Sequence, residues 1–97
     1  WTPLVAAAHR DFVQIVEALL RSGASTKLKT KDKRTALHIA ADEGNVEVIR
    51  SLLEHGAAVD AVGWMNRTPL MMAACRGHKN CVRLLVQQGA SVTRTDD

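Results

Sequence analysis

Residues 35–45 read Thr-Ala-Leu-His-Ile-Ala-Ala-Asp-Glu-Gly-Asn and contain the start, the packing face and the end of one short helix. Thr35 is suited to the N-cap, because its hydroxyl group can accept a hydrogen bond from a free backbone N–H group in the first turn. Leu37, Ala40 and Ala41 lie on one helix face, and the small alanines let a neighbouring helix approach closely. Gly44 is expected to end the helix, since glycine adopts the left-handed C-cap conformation without steric strain.

A second helix is predicted from about Val46 to His55. Its apolar stripe is expected to consist of Val46, Ile49, Leu52 and Leu53, whereas Glu47, Arg50, Ser51 and Glu54 are expected to face water. Gly56 then stops this helix, and a stretch of roughly a dozen residues with turn-forming types leads to the next threonine. One unit is therefore a helix, a turn, a second helix and an extended excursion.

The same phrase returns at a constant interval along the chain, from Thr2 to Thr35 to Thr68. The residues equivalent to Leu37, Ala40 and Ala41 are Leu4, Ala7 and Ala8 in the copy before, and Leu70, Ala73 and Ala74 in the copy after. A fixed period of this size indicates one supersecondary unit that stacks on copies of itself.

The overall composition fits a single small globular domain with an aliphatic core. The chain has 97 residues, 46% of them hydrophobic and 24% charged, and its formal net charge is +3. The longest apolar runs are far too short to cross a bilayer, so no membrane insertion is predicted. Two cysteines do not make a disulfide framework, and reduced thiols indicate an intracellular protein of the cytoplasm or nucleus.

These residues resemble the ankyrin repeat, whose pattern reads Gly-x-Thr-Pro-Leu-His-x-Ala-Ala-x-x-Gly-His and later Leu-Leu-x-x-Gly-Ala. The stretches 34–45 and 67–78 both fit it closely, while the first copy departs from it at Val5 and Asp11. Asp11 stands where a helix-ending glycine belongs, and aspartate tolerates a left-handed backbone better than most residues. The resemblance implies an all-α repeat solenoid of stacked antiparallel helix pairs joined by β-hairpin-like fingers.

The family pattern also divides the chain, which is expected to be one ankyrin repeat domain over residues 1–97. Residues 1–29 form a partial repeat, residues 30–62 and 63–95 form whole repeats, and residues 96–97 begin a further one. Because both ends fall within this pattern, we expect the chain to be a section of a longer array.

The resemblance implies a non-enzymatic protein–protein interaction module that binds a partner on a concave face lined by fingers and first helices. The variable residues expected there are Lys31, Asp32, Arg34, Asp42, Glu43, Trp64, Met65, Arg67, Cys75, Arg76, His9 and Arg10. The alternative is a targeting or regulatory segment of a larger enzyme or channel, such as a kinase, a ubiquitin ligase or a methyltransferase.

The sequence contains little that indicates a catalytic site, a metal site or a cofactor site. His38 and His78 fall where the family has histidines that hydrogen-bond the backbone within and between repeats. Cys75, His78 and Cys81 recur at intervals of three, but their positions in the repeat are expected to point them in different directions, and a fourth ligand is missing. No glycine-rich phosphate loop is present. We therefore expect no catalytic residue, no metal, no cofactor and no small-molecule substrate.

Two segments that do not recur are the best indications of a binding surface. The first finger carries Lys27, Lys29, Lys31, Lys33 and Arg34, which are either a solvated face or a surface for an acidic partner segment. Trp64, beside Met65 and Arg67, is either a binding hot spot or a cover over the neighbouring finger. Together they predict a linear peptide with an acidic residue and an apolar anchor, and not duplex DNA, which would need a continuous basic stripe.

Overall fold

A computed structural model of the chain describes residues 3–90, and for Trp64 it describes the backbone alone. These residues form six α-helices and no β-strand. The helices are α1 (Pro3–His9), α2 (Val13–Arg21), α3 (Ala36–Glu43), α4 (Val46–Glu54), α5 (Pro69–Cys75) and α6 (Lys79–Gln87). None of them is long and apolar enough to cross a bilayer. The expected start of a further repeat at 96–97 lies outside the described residues.

The helices form two layers of three. The first helices of the units, α1, α3 and α5, pack side by side, and each also packs on the second helix that follows it. The second helices pack in the order α2, α4 and α6. The stacked helix pairs confirm the predicted solenoid. They place the fingers beside the N-terminal ends of α3 and α5.

The predicted helix ends are present in the backbone. Thr35 is the N-cap of α3, and its hydroxyl oxygen accepts a hydrogen bond from the N–H group of His38 at 3.3 Å. Gly44 is the C-cap of α3 with φ +80°, and Asp11 takes the same left-handed conformation after α1 with φ 58°. The expected tolerance of aspartate at this position is confirmed.

The core lies between the two layers and is aliphatic, as predicted. It is centred on the fully buried Leu37, Ile49, Leu52 and Leu85. The expectation that Ser51 faces water is wrong: the residue is buried, and its hydroxyl group lies 3.4 Å from a carboxylate oxygen of Glu17 on α2. The reason is that α4 lies between α2 and α6 in its own layer. More of its surface is therefore covered than in a helix that packs on one side only.

Each finger is a tight three-residue loop closed by two backbone hydrogen bonds. In the first finger, the N–H group of Thr30 donates to the carbonyl of Arg34, and that of Lys33 donates to the carbonyl of Thr30. The second finger repeats both bonds at the equivalent positions, with Gly63, Asn66 and Arg67. Lys33 and Asn66 are left-handed at equivalent positions, with φ 65° and 59°. A left-handed residue after a turn is typical of three-residue hairpin loops.

The two fingers touch at Gly63. A Cβ atom on this residue would lie 2.5 Å from the carbonyl oxygen of Lys33 and 3.1 Å from Nε2 of His38. The first of these atoms belongs to the backbone, so a change of side-chain rotamer cannot relieve the contact. Glycine at position 63 therefore permits the two fingers to pack against each other.

Substituting Gly63→Ala should destabilise the domain by about 1–3 kcal/mol, because an added methyl group forces the fingers apart in a packed region. The free energy of unfolding from urea denaturation measures the effect. Ala58→Ser, at an exposed position outside this contact, is the control and should change stability by less than about 0.5 kcal/mol. Equal stability of the two variants would contradict the proposed finger contact.

Candidate functional site

A cleft of about 340 Å³ opens between the two fingers and the inner helices α3 and α5. Its lining residues are Arg34, His38, Asp42, Arg67, Met72, Cys75 and Arg76. Arg34 and Arg67 close the two fingers, Asp42 lies in the last turn of α3, and Arg76 follows α5. Three arginines and one aspartate are therefore among the residues that line one cleft.

Arg76 and Asp42 form an ion pair across the repeat boundary. Nε of Arg76 donates to Oδ1 of Asp42 at 2.9 Å. The Asp42 side chain is 14% exposed and that of Arg76 is 61% exposed. The hydrogen bond and charge of Asp42 raise the pKa of Arg76 above its ordinary value. Asp42 thus holds the guanidinium group of Arg76 through Nε.

A similar network holds Arg34 at the base of the first finger. Nε of Arg34 lies 3.1 Å from Oδ2 of Asp32, and the other oxygen of Asp32 accepts a hydrogen bond from the hydroxyl group of Thr30. The same threonine hydroxyl oxygen also accepts from the N–H group of Arg34 at 3.2 Å. Asp32 therefore holds Arg34 through Nε, and its negative charge offsets the positive charge of this guanidinium group.

His38 forms the inner wall of the cleft and joins α3 to the second finger. Its Nδ1 atom accepts from the N–H group of Thr35 at 3.1 Å, so the proton of the neutral ring resides on Nε2. Nε2 lies 2.9 Å from the carbonyl oxygen of Arg67, to which it donates. Burial lowers the pKa of His38, and the positive charges of Lys29 and Arg34 lower it further. The hydrogen bond to the carbonyl of Arg67 raises the pKa by less than burial lowers it.

The predicted role of the second histidine is also confirmed. Nε2 of His78 lies 2.9 Å from the carbonyl oxygen of Asp42 in the preceding unit. Asn45, at the equivalent position one unit earlier, donates from its amide nitrogen to the carbonyl oxygen of Ala8 at 2.7 Å. The side chains of these N-cap residues thus donate to backbone carbonyl groups near the ends of α1 and α3, where intrahelical donors run out.

The remaining predicted residues are not among those that line the cleft. Glu43 is exposed at the end of α3, with a carboxylate oxygen 3.7 Å from Nε2 of His9 at the end of α1. The guanidinium group of Arg10 lies 5.5 Å from the centre of the Phe12 ring. Lys31 is exposed on the first fingertip, and Met65 is 52% exposed on the second. The side chain of Trp64 lies outside the described residues.

Comparison with known proteins identifies the architecture. A family model described as ankyrin repeats, in three copies, matches residues 4–96. The chain belongs to the ankyrin repeat family. Among solved structures it is similar to the human ASB11 ankyrin repeat domain, with a TM-score of 0.92 and 33% sequence identity. The match covers 98% of this chain and 43% of the ASB11 chain, so the present chain spans less than half of that structure. No match is found among the curated proteins.

Within this ankyrin fold, one expected set of residues comes together and another does not. The cleft collects Arg34, Asp42, Arg67, Cys75 and Arg76 from separate segments of the chain. The Cys75, His78 and Cys81 series is dispersed, because Cys75 is exposed whereas Cys81 is buried in the core, where burial raises its pKa. Within residues 3–90, no group of three or more His, Cys, Asp or Glu side chains is placed to bind a metal ion.

Sequence reasoning misses two residues of the ankyrin cleft. Met72, an apolar residue with only 8% exposure, lies beside Arg67 and Arg76 in the lining, although its position in α5 indicates only a core residue. The sequence assigns His38 a structural role alone, yet its ring also lines the site. The signal available is the repeat itself: Met71 stands at the position equivalent to His38, so the third unit lacks this histidine.

The lowered pKa of His38 predicts that acid destabilises the domain. The unfolded chain takes up a proton on this residue near pH 6.5, whereas the folded chain does so only at lower pH, so protons favour unfolding. The contribution of His38 to stability is present above about pH 6.5 and is lost progressively as pH falls toward the folded pKa.

Two measurements check this prediction. The ring proton shifts of His38, followed by NMR, should titrate with a midpoint below pH 6.5. Unfolding free energies between pH 7.5 and 5.5 should decline less for His38→Gln than for the wild type, with His55→Gln, which alters an exposed histidine, as the control. A midpoint at or above pH 6.5 would show that the ring is not held neutral.

Proposed function

We propose that this domain is a non-enzymatic interaction module that binds an extended segment of a partner protein along its concave face. Ankyrin repeat domains are generally protein–protein interaction modules. The observation that carries the proposal for this chain is the cleft, which gathers five of the variable concave residues from two fingers and two inner helices. Those residues are far apart in sequence and adjoin only because the repeats stack.

The site is organised before any partner arrives. Arg34 and Arg76 are each held through Nε by a carboxylate, and His38 fixes the carbonyl of Arg67 relative to α3. Side chains that are already restrained lose less conformational entropy on binding, which leaves more of the contact energy for affinity. A preformed groove of this kind favours a partner that supplies flexible chain and adapts to the groove.

The second fingertip supports an apolar anchor beside the charged cleft. Met65 has φ 56° and ψ 32°, a left-handed conformation that is uncommon for a residue with a long side chain. Backbone strain of this type is concentrated at ligand-binding and switch regions. The conformation holds an apolar side chain in water close to Arg67, and a partner's apolar residue would cover it.

The partner that best fits this surface is a linear segment with an anionic residue and an apolar residue. The anionic residue would lie in the cleft among Arg34, Arg67 and Arg76, and the apolar residue would contact the Trp64–Met65 fingertip. The acidic pair Asp42 and Glu43 does not form a separate cation site, because each residue faces a basic side chain of an adjoining repeat. Electrostatic complementarity of this type sets orientation and specificity more than affinity.

The test is to select binders from a display library of proteome-derived segments and to compare two surface variants. Met65→Ser combined with Arg67→Glu removes the apolar fingertip and reverses the charge of the cleft. It should weaken binding of the selected segments by about tenfold or more, because residues of a preformed centre carry most of an interface's binding energy. Fluorescence anisotropy with labelled segments gives the dissociation constants.

The matched control places the same kinds of change on the opposite surface. Val86→Ser combined with Arg83→Glu alters two exposed residues of α6 and should leave the affinities unchanged. Circular dichroism establishes that both variants retain the helical fold. Failure to select any segment, or equal affinities for the wild type and the concave variant, would reject the concave face as the binding surface.

A further inference from the structure

We infer that the two ends of the helix stack are the two halves of one interface, through which a second copy of the chain docks head to tail. The leading face belongs to the α1–α2 pair and consists of Ala6, Phe12, Ile15 and Ala18. The trailing face belongs to the α5–α6 pair and consists of Ala74, Gly77, Val82 and Val86. Neither face contributes a residue to the concave cleft, so this inference does not rest on the proposed function.

The middle unit of the stack shows how the units join. Within residues 3–90, the α3–α4 pair packs against the α1–α2 pair on one side and against the α5–α6 pair on the other. Each of the two end pairs has such a neighbour on one side only. Because a repeat of this kind buries its apolar surface by stacking, each end of the described stack retains one uncovered face.

The leading face is identified by comparing equivalent positions in the three units. Ile15 is 51% exposed, whereas its equivalents Val48 and Cys81 are 0% and 1% exposed. The same contrast, with an exposed residue in the first unit and buried residues in the other two, holds for two further sets: Ala6, Ile39 and Met72, and Ala18, Ser51 and Leu84. A preceding unit therefore covers these positions wherever one is present.

The trailing face shows the opposite order. Ala74 is exposed in the last unit, whereas its equivalents Ala8 and Ala41 are fully buried. Exposure is also greatest in the last unit for two further sets: Val16, Ile49 and Val82, and Leu20, Leu53 and Val86. An open groove of about 530 Å³ lies over this face. A following unit therefore covers the positions that are uncovered here.

Gly77 and Phe12 add a match of shape between the two faces. At the internal junction, a Cβ atom on Gly44 would lie 2.8 Å from Nδ1 of His78, so the His78 ring packs directly on this glycine. Gly77 is the equivalent of Gly44, and a Cβ atom on it would meet no atom of the described residues within 4 Å. Phe12 is the exposed equivalent of His78. In the register of the internal junction, the Phe12 ring of one copy lies on Gly77 of the other.

A second copy of the chain is the occupant that these observations favour. It presents the leading face to the trailing face in an arrangement that the units already use twice within the chain. The residues of both faces are uncharged, and contiguous exposed apolar surface marks sites of protein–protein contact. Because the contact joins two different surfaces, a head-to-tail dimer retains one free face at each end and can grow further.

Sedimentation equilibrium of the 97-residue chain tests this inference. The weight-average mass should rise above the monomer mass of 10.6 kDa as the concentration increases from about 1 µM to about 1 mM. Adding about 1 M salt should leave the association largely unchanged, because salt screens interactions between charges and the two faces are uncharged.

Two variants, each altering one face, test the head-to-tail arrangement. Ile15→Lys and Val86→Lys change exposed residues, so circular dichroism should show an intact helical fold, and each should weaken self-association by about tenfold or more. Their equimolar mixture should form a heterodimer and stop there, because one variant retains the trailing face and the other retains the leading face. Met65→Lys makes the same change on the second fingertip and should leave self-association as in the wild type.

Three results would overturn the inference. A chain that stays monomeric up to about 1 mM leaves the two faces to another occupant, such as a further helix pair of the same kind. A mixture of the two face variants that stays monomeric would show that the contact does not join the leading face to the trailing face. Loss of association in high salt or in Met65→Lys would place the contact on the basic finger or on the concave face.

Discussion

The arrangement of the site depends on one buried side chain, His38. The ring accepts a hydrogen bond from the N–H group of Thr35 at the start of α3 and donates one to the carbonyl of Arg67 in the next finger. Both bonds require the neutral ring with its proton on Nε2. The single residue thus connects the beginning of one helix, the end of one finger and the wall of the cleft. Gly63 completes this contact, because a Cβ atom there would collide with the carbonyl oxygen of Lys33 and crowd the His38 ring.

Much of the fold could be predicted because it is encoded by residues that recur. Threonine caps, paired alanines and glycine stops return at a fixed interval, and local backbone physics interprets each of them without knowledge of the partner. The burial of Ser51 could not be predicted in this way. Its position looks solvent-facing on an isolated helix, and only the presence of α2 beside α4 covers it.

The candidate site could be predicted as a set of positions and not as a geometry. Sequence places Arg34, Arg67 and Arg76 on one face, but the pairing of Arg76 with Asp42 depends on side-chain conformations and on the offset between stacked helices. Met72 of α5 also lines the cleft. Such relations involve residues that are distant in the chain, and no local propensity encodes them. What a partner must supply therefore depends on the charges and side-chain positions of the folded domain.

The ion pairs between repeats have a consequence for how the binding face can diverge. His9 pairs with Glu43 and Asp42 pairs with Arg76, in both cases across a repeat boundary, and the acidic member changes sides between the two pairs. Neighbouring repeats therefore share residues that both line the groove and fasten one repeat to the next. A substitution that altered what the groove accepts at Asp42 would also release Arg76 in the following repeat. Changes to the groove at Asp42 and Glu43 are therefore coupled to the residues that they contact in the adjoining repeats.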